Sequence, residues 1–417
     1  VDPKADNAIV DKPGSPPGLR RILTLPLLTL YGLGVTIGAG IYVLVGVTVA
    51  KAGIHAPLTF LVAAIVVAFT CLTYAELSTR FPVSAGEAEY MQAAFGSRLL
   101  ASVAGLLLAA SGTVSSAAIS VGAASYLRLF IPLPDSTIII GLVLLLGAVA
   151  CWGIFESVSI AALFTVIEIS GLALVVWTGA GSMQDSSLVW KAFSPGLDLT
   201  AWTGIAAGSL LAFFAFVGFE DMVNVAEEVD RPEETLPRAI FLTLGITTLL
   251  YLAVVATMVA TVPLDVLAAS SAPLALLFVN KPAYLSNTFN IIAIVATVNG
   301  ILIQIIMVAR VIYGLSRQGN LPQFMGYVHP RLRTPVIATV CVALVVAALA
   351  ATTPISRLAE LTSIAVLTVF LLVNAALIAI KLNAGSSSPA GDHFHAPFWA
   401  PIGGIIASAL LLVTYFL

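Results

Sequence analysis

The 417-residue chain carries 18 Lys/Arg and 21 Asp/Glu, so 9% of its side chains are charged, against roughly 25% in a soluble domain. With 59% hydrophobic residues and a net charge of −3, it cannot cover a water-facing surface, and it lacks the basic stripe of a nucleic-acid binder. An ordinary soluble globule and a disordered chain are excluded with it, which leaves an all-α polytopic membrane protein.

The first 21 residues hold Pro3, Pro13, Pro16 and Pro17. They lack the apolar core of a signal peptide and read as a cytoplasmic tail. Eleven apolar runs of bilayer-crossing character follow, at 24–48, 57–79, 98–127, 137–153, 157–180, 203–227, 238–262, 284–315, 335–352, 355–381 and 398–417. They are called spans 1 to 11 here. Residues 382–397 are a polar linker before the last span. With the tail inside and the loops alternating, thirteen Lys/Arg fall on the inner side and five on the outer. This positive-inside bias places the N-terminus in the cytoplasm and the C-terminus outside. Cys71, Cys151 and Cys341 lie in apolar runs as small buried hydrophobes. His55, His329, His393 and His395 fall in loops or at span ends, so no mid-membrane cluster suggests an enzyme, a metal or a cofactor.

Two spans carry features that an unbroken lipid-facing helix would not tolerate. Span 1 packs Gly32, Gly34, Gly38, Gly40 and Gly46 into fifteen residues, with Gly38-Ala39-Gly40 at bilayer depth. Glycine there admits non-helical backbone, and Gly34-Val-Thr-Ile-Gly38 is also a close-approach motif for helix packing. Span 6 reads Phe213-Phe-Ala-Phe-Val-Gly-Phe-Glu-Asp-Met222, two consecutive acids directly after Gly218. Acids at that depth face a cavity or a partner, unless the helix simply ends early and Glu220 begins the acidic loop. If spans 1–5 and 6–10 form an inverted repeat, both irregular spans open their half and face each other at the midplane. A zwitterionic amino acid would satisfy the freed backbone, its carboxylate on the half-helix start near Gly38 and its ammonium on free carbonyls.

These residues resemble a known family. Thr36-Ile-Gly-Ala-Gly-Ile-Tyr42 is similar to the first-helix signature of the amino acid–polyamine–organocation (APC) superfamily. Phe213–Glu220 with Ala226–Arg238 resembles its sixth helix and following loop, and Arg310–Pro322 its eighth-helix exit. Tyr74-Ala-Glu-Leu and Phe81-Pro-Val-Ser-Ala-Gly resemble the end of its second helix. The resemblance spans residues 20–381 in family order. It implies an amino acid permease with a leucine-transporter-type 5+5 inverted repeat over 22–381 and one additional C-terminal span at 398–417. By the same resemblance, substrate contacts fall on Thr36, Ile37, Gly38, Ala39 and Gly40, and on Phe214, Ala215, Val217 and Gly218, with Phe214 as an aromatic gate. Gln304 and Ser111 take pocket positions on spans 8 and 3, joined by Thr362 and Ser363 on span 10.

One departure bears on coupling. Many proton-coupled relatives place a lysine midway along span 5, where this chain has Glu168. An acid at that depth is a candidate proton carrier, because burial penalises its charge, or a hydrogen-bonding partner for the broken span 1. Glu220 is the second coupling candidate. Sodium coupling is less favoured, since span 8 near Asn299–Met307 offers no Ser/Thr pair. The expected activity is therefore secondary amino acid transport by alternating access, proton-coupled or by exchange. The alternative is a polyamine or amine transporter or antiporter, with Glu220 and Asp221 as counter-charges.

Overall fold

A computed structural model describes residues 23–37, 40–83, 86–151, 158–183, 187–317, 319–329, 334–383 and 394–415. The expected tail, Gly38, Ala39 and positions 384–393 of the expected linker lie outside the described residues. Among the described residues there is no strand, only an isolated bridge between Leu23 and Val229. The helices are α1 (Leu25–Ile37), α2 (Gly40–Ala52), α3 (Ala56–Arg80), α4 (Gly86–Phe95), α5 (Arg98–Leu127), α6 (Asp135–Cys151), α7 (Val158–Ala180) and α8 (Ser187–Ala192). They continue with α9 (Leu199–Phe214), α10 (Pro232–Thr261), α11 (Leu264–Ala269), α12 (Ala283–Arg317), α13 (Val336–Thr352), α14 (Ile355–Asn383) and α15 (Trp399–Val413).

Each of the eleven apolar runs contains helix where it is described. Among the described residues seven helical stretches are long and apolar enough to cross a membrane, with α1 to α3 counted as one; α6, α13 and α15 are shorter apolar helices. Local chemistry sets several boundaries. Ser97 caps α5, its hydroxyl oxygen accepting from the Leu100 N–H at 3.3 Å, and Asp198 caps α9 by accepting from Thr200 N–H at 2.9 Å. The helix of span 7, α10, starts at Pro232, six residues before the expected 238. Proline in the first turn lacks only an N–H that would be unpaired anyway, and Glu233 and Glu234 suit the positive helix end.

The packing has two layers. In one, α3 lies between α9 and α10, α1 runs along α10 and α7, and α2 along α9. In the other, α5 crosses α12 and α14, with α6 against α13. Between them the aromatic rings of Tyr74, Phe213, Phe219 and Phe370 meet edge to face, with centroids 5.5–5.9 Å apart. The last helix, α15, packs on α14 and α3. The chain entering it is held by the buried Glu76 carboxylate, which accepts from Ala396 N–H at 2.8 Å and pairs with Lys381 at 2.7 Å.

Candidate functional site between the two helix breaks

Span 1 is described as α1 up to Ile37 and α2 from Gly40, with Gly38 and Ala39, where it was expected to break, outside the described residues. Span 6 is broken. α9 ends at Phe214, a turn follows, Gly218 takes φ +121°, and the chain continues as 3₁₀ helix over Phe219–Glu228. Gly218 cannot be replaced freely, because a side chain would be strained at that φ and would meet Val35 Cγ1 at 2.7 Å. The early-helix-end alternative for Glu220 fails on burial: Glu220 and Asp221 are each 2% exposed.

Tyrosines hold the two breaks together. The Tyr251 hydroxyl, from α10, is shared between the carbonyls of Thr36 and Ala215, both at 2.8 Å. Tyr126 donates to the Tyr42 carbonyl at 2.6 Å, and Tyr42 donates to the Glu168 carbonyl at 2.7 Å. The Ala215 carbonyl, at the end of α9, is satisfied by Tyr251, as backbone at membrane depth requires. Gly40 lies directly on Ala215; a Cβ there would collide with the Ala215 Cα and reach its Cβ at 2.8 Å. The glycine thus sets the spacing between the two broken spans as well as leaving bare backbone.

A narrow cavity opens beside that contact. From the breaks it is lined by Val35, Thr36, Gly40, Phe214 and Val217, and from α5 and α12 by Ser115, Ile119, Gly300, Ile303 and Gln304. The space is about 10 Å³, room for about one water and not for an amino acid. Of the residues expected at the site, Thr36, Gly40, Phe214, Val217 and Gln304 therefore border one cavity. Ile37 is fully buried, Ala215 sits behind Gly40, and Gly218 packs on Val35. Ser111 lies one turn from the lining Ser115 and donates to the Leu108 carbonyl. Thr362 is buried, and Ser363 donates to Leu210 O at 2.8 Å, joining α14 to α9. Val35, Ser115, Ile119, Gly300 and Ile303 were not expected. Their signal is the α5 and α12 face turned to the breaks, which the sequence alone does not orient.

Glu168 stands behind the break, fully buried, and accepts from the Asn299 amide on α12 at 3.0 Å. Its other oxygen is buried without a partner among the described residues. Glu220 accepts from the Gly218 N–H at 2.9 Å, and Asp221 from the Gln304 amide at 3.5 Å. Neither acid lines the cavity.

Residues 23–417 match the amino acid permease family. The chain belongs to that family. A branched-chain amino acid permease of Bacillus subtilis is 28% identical, over 87% of this chain and 81% of its own length. An uncharacterized transporter of Mycobacterium tuberculosis is 32% identical over 89% of this chain and 82% of its own. A vacuolar cationic amino acid transporter of Arabidopsis thaliana is 28% identical over 91% of this chain and 66% of its own. Among solved structures, a Na+-coupled sialic acid symporter superposes with a TM-score of 0.62 at 12% identity, over 94% of this chain and 89% of that one. That likeness establishes the fold. The relatives are permeases and transporters, not enzymes.

Within this permease the gate role of Phe214 is open to direct measurement. Its ring lines the cavity and is 5% exposed. A fully packed core phenylalanine loses about 3–5 kcal/mol when cut to alanine. Phe214→Ala is expected to cost less than that in thermal unfolding while reducing substrate uptake at least tenfold. Loss of folding and uptake together would mark the ring as core.

A further buried acid lies near Glu220 and Asp221. Glu87, on α4 outside the spans, is 1% exposed and accepts from the Tyr74 hydroxyl at 3.3 Å. It faces Tyr90, Glu220 and Asp221 and pairs with no cation among the described residues. Burial pushes its carboxyl up to about 7. A carboxyl raised in the folded state contributes stability that is complete below its ordinary range near 4.5 and lost as pH rises through about 7. The difference corresponds to about 3 kcal/mol. Glu87→Gln is therefore expected to flatten the fall of thermal midpoint between pH 5 and 8 and to be the more stable protein at pH 8. A variant profile parallel to wild type would show that Glu87 is solvated.

Proposed function

We propose that this protein is a secondary active transporter that moves an amino acid across the cytoplasmic membrane by alternating access, with the substrate between the breaks of spans 1 and 6. The observation that carries the reading is that span 1, through Thr36 and Gly40, and the region of the span 6 break, through Phe214 and Val217, border one cavity. In this reading span 1 opens at Gly38-Ala39, and the N–H groups and positive dipole end freed there meet a carboxylate. The carbonyl end of α1 and the turn after α9 suit an ammonium. The cavity in its present state is too small for that ligand, so binding requires the walls to separate, as alternating access demands.

Three finer statements belong to the proposal. Spans 1–5 and 6–10 form an inverted repeat, with all eleven spans crossing the bilayer, the N-terminus in the cytoplasm and the C-terminus outside. The packing supports the repeat because it survives exchanging the halves. The contact of α1 with α7 has its counterpart in α9 with α14, that of α1 with α10 in α9 with α3, and that of α5 with α14 in α12 with α7. Glu168, beside the span 1 break, is the coupling group, and a proton is the coupled ion. Neither Glu220, which accepts from Gly218 N–H, nor Asp221, which accepts from Gln304, lines the cavity, so neither is placed there as a counter-charge for an amine substrate.

Counterflow into proteoliposomes tests the transport reading. Labelled amino acids and polyamines are supplied outside vesicles loaded with the same unlabelled compound. At least one amino acid is expected to accumulate transiently. Accumulation of a polyamine alone would overturn the assignment.

A further inference from the structure

The side-chain end of the cavity is formed by two facing helices, α5 with Ser115 and Ile119, and α12 with Gly300, Ile303 and Gln304. No lining residue carries a charge. Asp221, the acid touching this wall, lies behind Gln304 and accepts from its amide at 3.5 Å. The Gln304 carbonyl oxygen and the Thr36 hydroxyl oxygen are buried without a partner among the described residues. The side chains offered to a ligand are therefore neutral, the polar ones being Thr36, Ser115 and Gln304 and the others aliphatic or aromatic.

Gly300 has a property that separates it from the other buried glycines of this region. A Cβ on Gly40 would strike the Ala215 backbone, and one on Gly112 would meet Val308 Cγ2 at 2.5 Å and Gln304 Oε1 at 3.0 Å. A Cβ on Gly300 would meet nothing nearer than Ile119 Cδ1 at 3.6 Å, which is an ordinary contact. Packing does not require a glycine at this position, and φ does not either, since Gly300 is inside α12 and absent from the positive-φ residues. Glycine inside a helix costs stability relative to alanine. What the missing side chain provides is space on the cavity wall.

We propose that Gly300 sets the size limit of a side-chain subsite between α5 and α12, and that this subsite takes uncharged amino acids with aliphatic side chains. The proposal rests on the transport reading above and specifies the substrate of that same site. A lysine or arginine side chain would bring its charge against Ile119, Ile303 and Val217 with only a neutral amide oxygen to receive it, and an unpaired buried charge is strongly disfavoured. An aliphatic side chain loses nothing there and removes apolar surface from water. A methyl group at Gly300 occupies the volume of about one substrate methylene. One methylene in an apolar pocket discriminates by about 10–200-fold.

The test is uptake by the full chain in liposomes, with kcat/KM measured for alanine, valine, leucine, lysine, arginine and putrescine. Wild type is expected to prefer the aliphatic amino acids to lysine, arginine and putrescine. Gly300→Ala is expected to lower the leucine-to-alanine ratio of kcat/KM at least tenfold. Ile303→Ala widens the same subsite from the next turn of α12 and is expected to raise that ratio, so the idea stands on two opposite shifts. Gly141→Ala, on α6, also meets open space but lies away from the cavity, and is expected to leave the ratio alone. Unchanged ratios in both cavity variants overturn the subsite. A wild-type preference for lysine, arginine or putrescine overturns the substrate class while leaving transport intact, or, for putrescine alone, overturns both. Wild-type protein that takes up no amino acid at all overturns the transport reading and the subsite with it.

Discussion

Replacing Gly40 by valine is expected to abolish transport and to lower the thermal midpoint of the purified protein. Gly40 begins α2 and lies on the backbone of Ala215, so a Cβ would collide with the Ala215 Cα and stand 3.2 Å from its nitrogen. The obstacle is main chain, not the end of a flexible side chain. The two broken spans must therefore separate to admit it. Overpacking of this kind costs about 1–3 kcal/mol. The same movement pulls Thr36 and Ala215 off the Tyr251 hydroxyl they share, which leaves buried carbonyls short of a partner. Uptake below about one hundredth of wild type is expected, from loss of binding geometry at both ends of the site. Gly141→Ala is the control for a harmless glycine substitution, since its Cβ meets nothing within 4 Å. Wild-type uptake by Gly40→Val would mean that the contact between the breaks is incidental to the site.

The sequence made the helices and their breaks legible for different reasons. Span limits follow from where apolar residues stop. The third span was expected at 98–127 and the helix is Arg98–Leu127, capped by the Ser97 that precedes it. The break of span 6 was legible because paired acids after Gly218 are costly in lipid unless backbone is freed there, whereas Gly38 and Ala39, where span 1 was expected to break, lie outside the described residues. The short helices α4, α8 and α11 were not legible, being too brief to carry a period above the noise of a loop. The tyrosine ties were hidden as well. Tyr42, Tyr126 and Tyr251 stand in apolar runs, and nothing local says which distant carbonyl each hydroxyl reaches. The pocket face of span 3 was displaced by a turn, from Ser111 to Ser115. That helix carries a serine or small residue at nearly every turn, so composition does not select the face that meets α12. Glu87 was not singled out by the sequence, since its surroundings include Tyr74 and the 3₁₀ segment of span 6, which nothing local brings to it.

Glu168→Gln is expected to keep substrate binding and to remove the pH dependence of uptake. The carboxyl is fully buried on α7, with no cation paired to it among the described residues. Its one side-chain contact, the Asn299 amide at 3.0 Å, can be accepted by an ionised carboxylate, a neutral acid or a glutamine alike. Its backbone carbonyl receives Tyr42, and Tyr42 in turn anchors the first turn of α2 through its own carbonyl and Tyr126. The acid therefore touches both α12 and α2, the helix that carries Gly40 at the cavity. A proton on Glu168 would be felt by whichever arrangement of these elements shields it from water. A ligand or proton shifts the balance of two states only by its differential affinity for them. Glutamine is neutral in both states, so the proton loses its differential affinity while shape is kept. Uptake driven by an inside-alkaline gradient should fall to the level of exchange, and exchange itself should run independently of pH between 5 and 8. The check is uptake by proteoliposomes with and without the gradient, against counterflow at fixed pH. A Glu168→Gln protein that still accumulates substrate on the gradient with the wild-type pH profile would assign the carboxyl to structure alone, as a bond to Asn299 beside the break, and move the coupling group elsewhere.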